Sequence, residues 1–102
     1  MKPYRFHEDA DSEFLEWTAY YDAQAEGLGD RFVEAVAAAV VDIRTYPEIG
    51  PLISRNVRRR VVRAFAYNLL YINLPEELLI VAVAPQKRRP GYWRKRLRRL
   101  PR

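Results

Sequence analysis

The sequence predicts an α+β domain in which an N-terminal strand and a helical hairpin precede a three-stranded antiparallel meander, all forming one sheet. Three observations predict it. Apolar residues recur at helical spacing through residues 8–25 and 30–46, three β-patterned runs separated by short turns fill residues 57–84, and 102 residues leave room for a single domain.

The first element is PYRF, residues 3–6, where Tyr4 and Phe6 alternate against Arg5 in the manner of a short strand that ends at His7. From Glu8 to Ala25 the period changes. Phe14, Trp17 or Thr18, Tyr21 and Ala25 recur at spacings of three and four, and Glu8, Asp9 and Asp11 enrich the first turn, where the helix dipole favours acids. The stretch Gly27 to Asp30, GLGD, supplies glycines for a helix end and an acid to cap the next helix, so the chain turns back on itself. The second helix is expected over Asp30 to Tyr46, with Phe32, Val36, Ala39, Val40 and Ile43 on one stripe, and it stops at Pro47. PEIGP then makes a turn that runs on as a loop to Asn56.

Strands are expected over Val57 to Phe65, Asn68 to Leu74 and Leu78 to Ala84, joined by connections short enough for antiparallel hairpins. LLIVAVA is apolar on both faces of its pleat and belongs in the middle of the sheet, with the strand at Tyr4 on its far side. After Ala84 the chain reads PQKRRPGYWRKRLRRLPR, with nine Lys/Arg in eighteen residues. It begins as a loop, and a basic tail from about residue 94 to 102 forms a short helix or orders on a partner.

Charge divides the chain in two. Residues 1–54 carry four Lys/Arg against eleven Asp/Glu, a net −7, and residues 55–102 carry fourteen against two, a net +12, together the +5 of the whole. Either acidic helices lie over a basic sheet, or the basic half receives an anionic partner. The chain has no cysteine, which removes disulfides and thiolate metal sites, and it has no apolar run near the ~20 residues of a membrane span. Its N-terminus lacks the apolar core of a signal peptide, and a soluble, cytoplasmic protein without membrane attachment is expected.

The residues exclude several chemistries. The single histidine, His7, stands at a strand-to-helix junction, where capping suits it better than catalysis. Glu8, Asp9, Asp11, Glu13 and Glu16 have no His or Cys beside them and read as a solvated helix face, so neither a metal nor another cofactor is expected. GLGD follows a helix and lacks the Lys and Ser/Thr of a phosphate-binding loop. Arginine remains. Arg55, Arg58, Arg59, Arg60 and Arg63 lie on or near one strand, and Lys87, Arg88 and Arg89 follow the last, with Tyr67, Tyr71, Tyr92 and Trp93 as neighbouring aromatics. Guanidinium groups grip phosphate or carboxylate in pairs, so this set suits nucleic acid or an acidic peptide, and a solvated sheet face is the bland alternative. Alternation places Val57, Arg59, Val61 and Arg63 on one face and Arg58, Arg60 and Val62 on the other. Neither is cleanly apolar, and which arginines turn from the helices stays open.

The segments YRFHEDADSEFLEWTAYYDAQ, GLGDRF, YPEIGP, VRRRVVRAFAYNLLY and VAVAPQKRRPGYW occur in an order and spacing that resembles the RelE/ParE toxin family, also called plasmid stabilisation proteins, and its ParE branch in particular. The resemblance covers nearly the whole chain and implies the same fold. It further implies a toxin of a type II toxin–antitoxin module, bound in a hetero-oligomer by a cognate antitoxin that folds over it, with Trp17, Tyr20 and Arg59 as antitoxin contacts. ParE-like members poison DNA gyrase by binding, which makes Arg58, Arg60, Arg63, Arg88, Arg89, Tyr92 and Trp93 the expected target surface. RelE-like members instead cleave mRNA on the ribosome with basic residues and a tyrosine, roles that Arg60, Arg63, Tyr67 and Tyr92 would fill here. Pro85 stands where many relatives of that type have a histidine, and the long helical hairpin favours ParE. A relative that binds its antitoxin without being toxic is a third expectation.

Overall fold

The computed structural model describes residues 1–98. Its elements are β1 (Tyr4–Phe6), α1 (Glu8–Gln24), α2 (Leu28–Thr45), β2 (Val57–Val62), β3 (Tyr67–Asn73), β4 (Leu78–Pro85) and a single turn, α3 (Arg94–Leu97). The strands form one sheet in the order β1-β4-β3-β2. β2, β3 and β4 make the expected antiparallel meander, and β4 lies between β3 and β1. The sheet is mixed, however, because β1 runs parallel to β4, with Leu78 N donating to Pro3 O and His7 N to Ile80 O, each at 2.8 Å. A parallel pair needs a long crossover, and here the helical hairpin and two strands supply it.

His7 is the N-cap of α1: its Nδ1 accepts from Asp9 N at 3.1 Å, which satisfies one free amide of the first turn. The hairpin turn is tighter than the sequence implies. Gly27 alone takes the left-handed conformation, φ 77°, so α2 begins at Leu28 and absorbs Gly29 and Asp30 into its first turn. At its far end, the loop after α2 is pinned to the sheet. Tyr71 Oη donates to Pro47 O at 2.8 Å and accepts from Gly50 N at 3.1 Å, while Arg59 N donates to Pro51 O and Ile53 N to Val57 O along the outer edge of β2.

β2 ends at Val62, short of Phe65, because Arg63 to Ala66 form the turn and Ala64 takes φ 67° there. Tyr67, expected in the connection, therefore opens β3. Between β3 and β4 the register slips, with Leu70 opposite Ala82 and Tyr71 opposite Ile80. Val81 is the extra residue of a β-bulge. Its effect on packing is that Val81 and Ala82 both turn away from the helices, while Ile80 and Val83 face them.

Two cores result. On the helix side Phe32, Val36, Ala39, Val40 and Ile43 of α2 meet Val62, Tyr67, Leu69, Tyr71, Leu78, Ile80 and Val83, with Phe14, Trp17, Tyr21 and Phe65 packed at the margin. On the other side Val57, Leu70, Ile72, Leu79, Val81, Ala82 and Ala84 are covered in part by Trp93, Tyr92 and Leu97 of the C-terminal segment. That segment was expected to begin as a loop and to end in a short basic helix or a tail ordered by a partner, and the helix is present as α3. As far as Arg98 it is a structural layer, and the remainder of the tail lies outside the described residues.

Candidate functional site

β1 covers β4 only as far as Ile80, which leaves the outer edge of β4 open beyond that point. The bulge turns Val81 O and Val83 N toward this gap, and two side chains from opposite ends of the chain occupy it. Glu13 accepts from Val83 N at 3.1 Å and from Tyr92 Oη at 2.6 Å, and receives both terminal nitrogens of Arg96 at 2.7 and 2.9 Å. Arg96 also donates to Val81 O at 2.9 Å and stands 3.6 Å from Asp9. Glu13 is thus a buried ion-pair partner, 9% exposed, and not part of the solvated acidic face. A signal for it existed: Ala10, Glu13 and Trp17 follow the helical period, so an acid sits on the inward stripe.

This cluster fixes the path of residues 86–98 across the outer face and forms one wall of a basin there. The basin has a volume of about 270 Å³. Its floor is Asn68 and Leu70 of β3 with Ala84 of β4, and Arg59, Arg88, Arg89 and Arg94 surround it. Gly91, at φ 81°, makes the turn that brings the arginine loop back over Trp93. Arg88 lies over the Tyr92 ring at 4.1 Å and Arg94 over the Trp93 ring at 5.2 Å, while Arg94 reaches Ser54 Oγ at 3.2 Å. Among the described residues no carboxylate lines the basin, and Arg59, Arg88 and Arg89 form no ion pair. The Asn68 side-chain oxygen is buried without a hydrogen-bond partner among those residues.

The expected target surface is therefore redistributed. Arg88 and Arg89 do share one site, and Tyr92 stands at its wall. Trp93 is 4% exposed and packs mainly in the second core, touching the basin as part of its lining. Arg58, Arg60 and Arg63 lie elsewhere, since residues 58, 60 and 62 of β2 face the helices. Arg58 donates to Glu48 O and Gly50 O, Arg60 pairs with Asp42 at 2.8 Å, and Arg63 borders a shallow groove along α2 with Leu28, Arg31 and Ala35. Arg59, expected at the antitoxin contact, is the β2 arginine that joins Arg88 and Arg89. Of the other two antitoxin candidates, Tyr20 is half exposed, whereas Trp17 leans on Tyr67 at 5.3 Å at the core margin.

The four residues considered for RNA cleavage are not brought together. Tyr67 is buried on the helix side, where burial, a hydrogen bond with Tyr21 and its neighbours push its phenol far above the usual tyrosine range. Tyr92 belongs to the opposite face, and its pKa is also driven up, by burial and then by Glu13. Both shifts act against ionisation of either phenol. Arg60 and Arg63 face α2 at the β2 edge. Among the described residues no three His, Cys, Asp or Glu side chains converge as a metal site, and no helix is long and apolar enough to cross a membrane.

A helical hairpin across one face of a mixed four-stranded sheet, with an arginine-ringed basin on the other, defines a small basic α+β domain of a recurring kind. A solved chain of the chromosomal ParDE toxin–antitoxin system from P. aeruginosa shares the fold, with a TM-score of 0.70 at 13% identity over 83% of this chain and 96% of that one. Sequence comparison with curated proteins gives no significant match. The family model for the ParE toxin of the type II toxin–antitoxin system, parDE, matches residues 4–90, and the chain belongs to that family.

Proposed function

We propose that this ParE-family toxin inhibits DNA gyrase by binding it through the outer face of the sheet, and that a cognate antitoxin neutralises it. One observation carries the reading. The basin gathers Arg59, Arg88, Arg89 and Arg94 with no carboxylate lining it among the described residues, because Glu13, behind Tyr92, is neutralised by Arg96, and this makes it a surface for engaging an anionic partner. The separation of Tyr67, Tyr92, Arg60 and Arg63 supports inhibition by binding over cleavage of mRNA. For the antitoxin, the acidic hairpin with Tyr20 and Leu15 exposed, together with the groove at Arg63, offers both apolar and charged contacts.

Purified protein is tested in gyrase supercoiling of plasmid DNA and, in parallel, on mRNA in programmed ribosomes. Loss of supercoiling, or trapped cleaved plasmid, is expected. Arg88→Ala with Arg89→Ala is expected to abolish that effect and the growth arrest while changing stability by less than about 1 kcal/mol. Cut mRNA with unaffected gyrase would overturn the reading.

A further inference from the structure

The shape and chemistry of the basin specify more than a positive charge. Its walls carry guanidinium groups, and its floor carries one polar side chain, Asn68, whose oxygen is buried and unpartnered. A buried acceptor left unpaired is costly, and an incoming donor would recover that cost. The volume of about 270 Å³ lies at the small end of ligand sites and suits one planar group rather than a folded peptide segment. Asparagine pairs with the polar edge of a nucleobase, and arginines at the rim match the phosphates on either side of it.

We infer that the basin takes one unpaired nucleotide of a single-stranded nucleic acid, its base edge on Asn68 and its flanking phosphates on Arg59, Arg88, Arg89 and Arg94. A duplex cannot satisfy this arrangement, because a stacked and paired base does not present its edge to the floor of a basin this small. Aromatic stacking contributes little, since Trp93 is buried and Arg88 lies over Tyr92. Binding is thus governed by phosphate contacts, and the inference rests on the outer face being the working surface, whichever macromolecule presents the strand.

The test measures fluorescence anisotropy of a labelled 12-nucleotide single-stranded DNA, and of the same sequence as a duplex, over a range of salt. Neutralising the two phosphates that flank one nucleotide gives a slope of log K against log salt of about −1.4, or roughly sevenfold weaker binding for a fourfold rise in salt. Arg59→Ala, Arg88→Ala and Arg89→Ala together are expected to remove most of that slope and to weaken binding far more than Arg31→Ala, Arg55→Ala and Arg63→Ala, which remove the same charge elsewhere. Asn68→Asp, which places a carboxylate on the floor, is expected to weaken binding about tenfold or more, with thermal denaturation confirming that each variant folds. Equal losses in the two triple variants, duplex bound as tightly as single strand, or an Asn68→Asp variant that binds like the parent would each overturn the inference. Displacement of the strand by polyglutamate at equal charge would reassign the basin to an acidic peptide. Gyrase inhibition by a protein that binds no single strand defeats this inference alone, and strand binding with gyrase untouched defeats only the gyrase reading.

Discussion

Replacing Glu13 by alanine removes the one carboxylate that neutralises Arg96 inside the protein. The Arg96 side chain is 12% exposed, so water cannot take over the role. Asp9 remains at 3.6 Å, but it is 45% exposed and its attraction is screened. Breaking a buried pair on one side costs about 3–5 kcal/mol, and Val83 N and Tyr92 Oη lose their acceptor as well, so a loss of about 3 kcal/mol or more is expected. Against a total of about 5–15 kcal/mol for a domain of this size, such a loss is severe. Urea denaturation followed by circular dichroism measures it. The double variant Glu13→Leu with Arg96→Met, which replaces both charges by apolar groups, is expected to recover at least half of the loss, because no orphaned charge is left. A Glu13→Ala loss below about 1 kcal/mol, or two single variants whose effects simply add, would refute the account of this pair as a buried, coupled plug.

Alkaline pH gives an independent check. The phenols of Tyr67, Tyr71 and Tyr92 are all raised above their ordinary value, mainly by burial. The unfolded chain ionises them near pH 10 and the folded chain at higher pH, so their contribution is complete below that pH and is lost as pH rises above it. A steep decline in urea midpoint above about pH 10 is expected, shallower in Tyr92→Phe; a flat profile to pH 11.5 would contradict it. Ala64 holds φ 67°, where a Cβ is disfavoured, so Ala64→Gly is expected to raise stability by about 0.5–1 kcal/mol, and a fall in urea midpoint would show the turn to be otherwise constrained. Trp93→Ala opens the second core and is expected to cost about 3–5 kcal/mol; an effect of the size of a surface change would return Trp93 to the surface set.

The periodic elements were legible from sequence because α1, α2 and β4 each keep one pattern over many residues, and the position of β4 beside β1 followed from its being apolar on both faces. The arginine faces were not legible. β2 is an edge strand with arginines on both sides, and only its pairing with Asp42 and with the 47–53 loop decides that Arg58 and Arg60 turn inward. Trp93 was hidden by nine basic residues around it, although a tryptophan in such a run is itself a hint of burial. The bulge at Val81 leaves no trace in a uniformly apolar strand, yet it directs Val81 O and Val83 N to Glu13 and Arg96, and so shapes the site.

The plug joins residues 83 positions apart, and β1 pairs with β4 across more than seventy. Both closures join segments far apart in the sequence, whereas the helical hairpin between them closes on local contacts alone. Folding of this domain is therefore expected to be limited by long-range loop closure, with the hairpin able to form before the sheet edge and the wall of the arginine basin are complete.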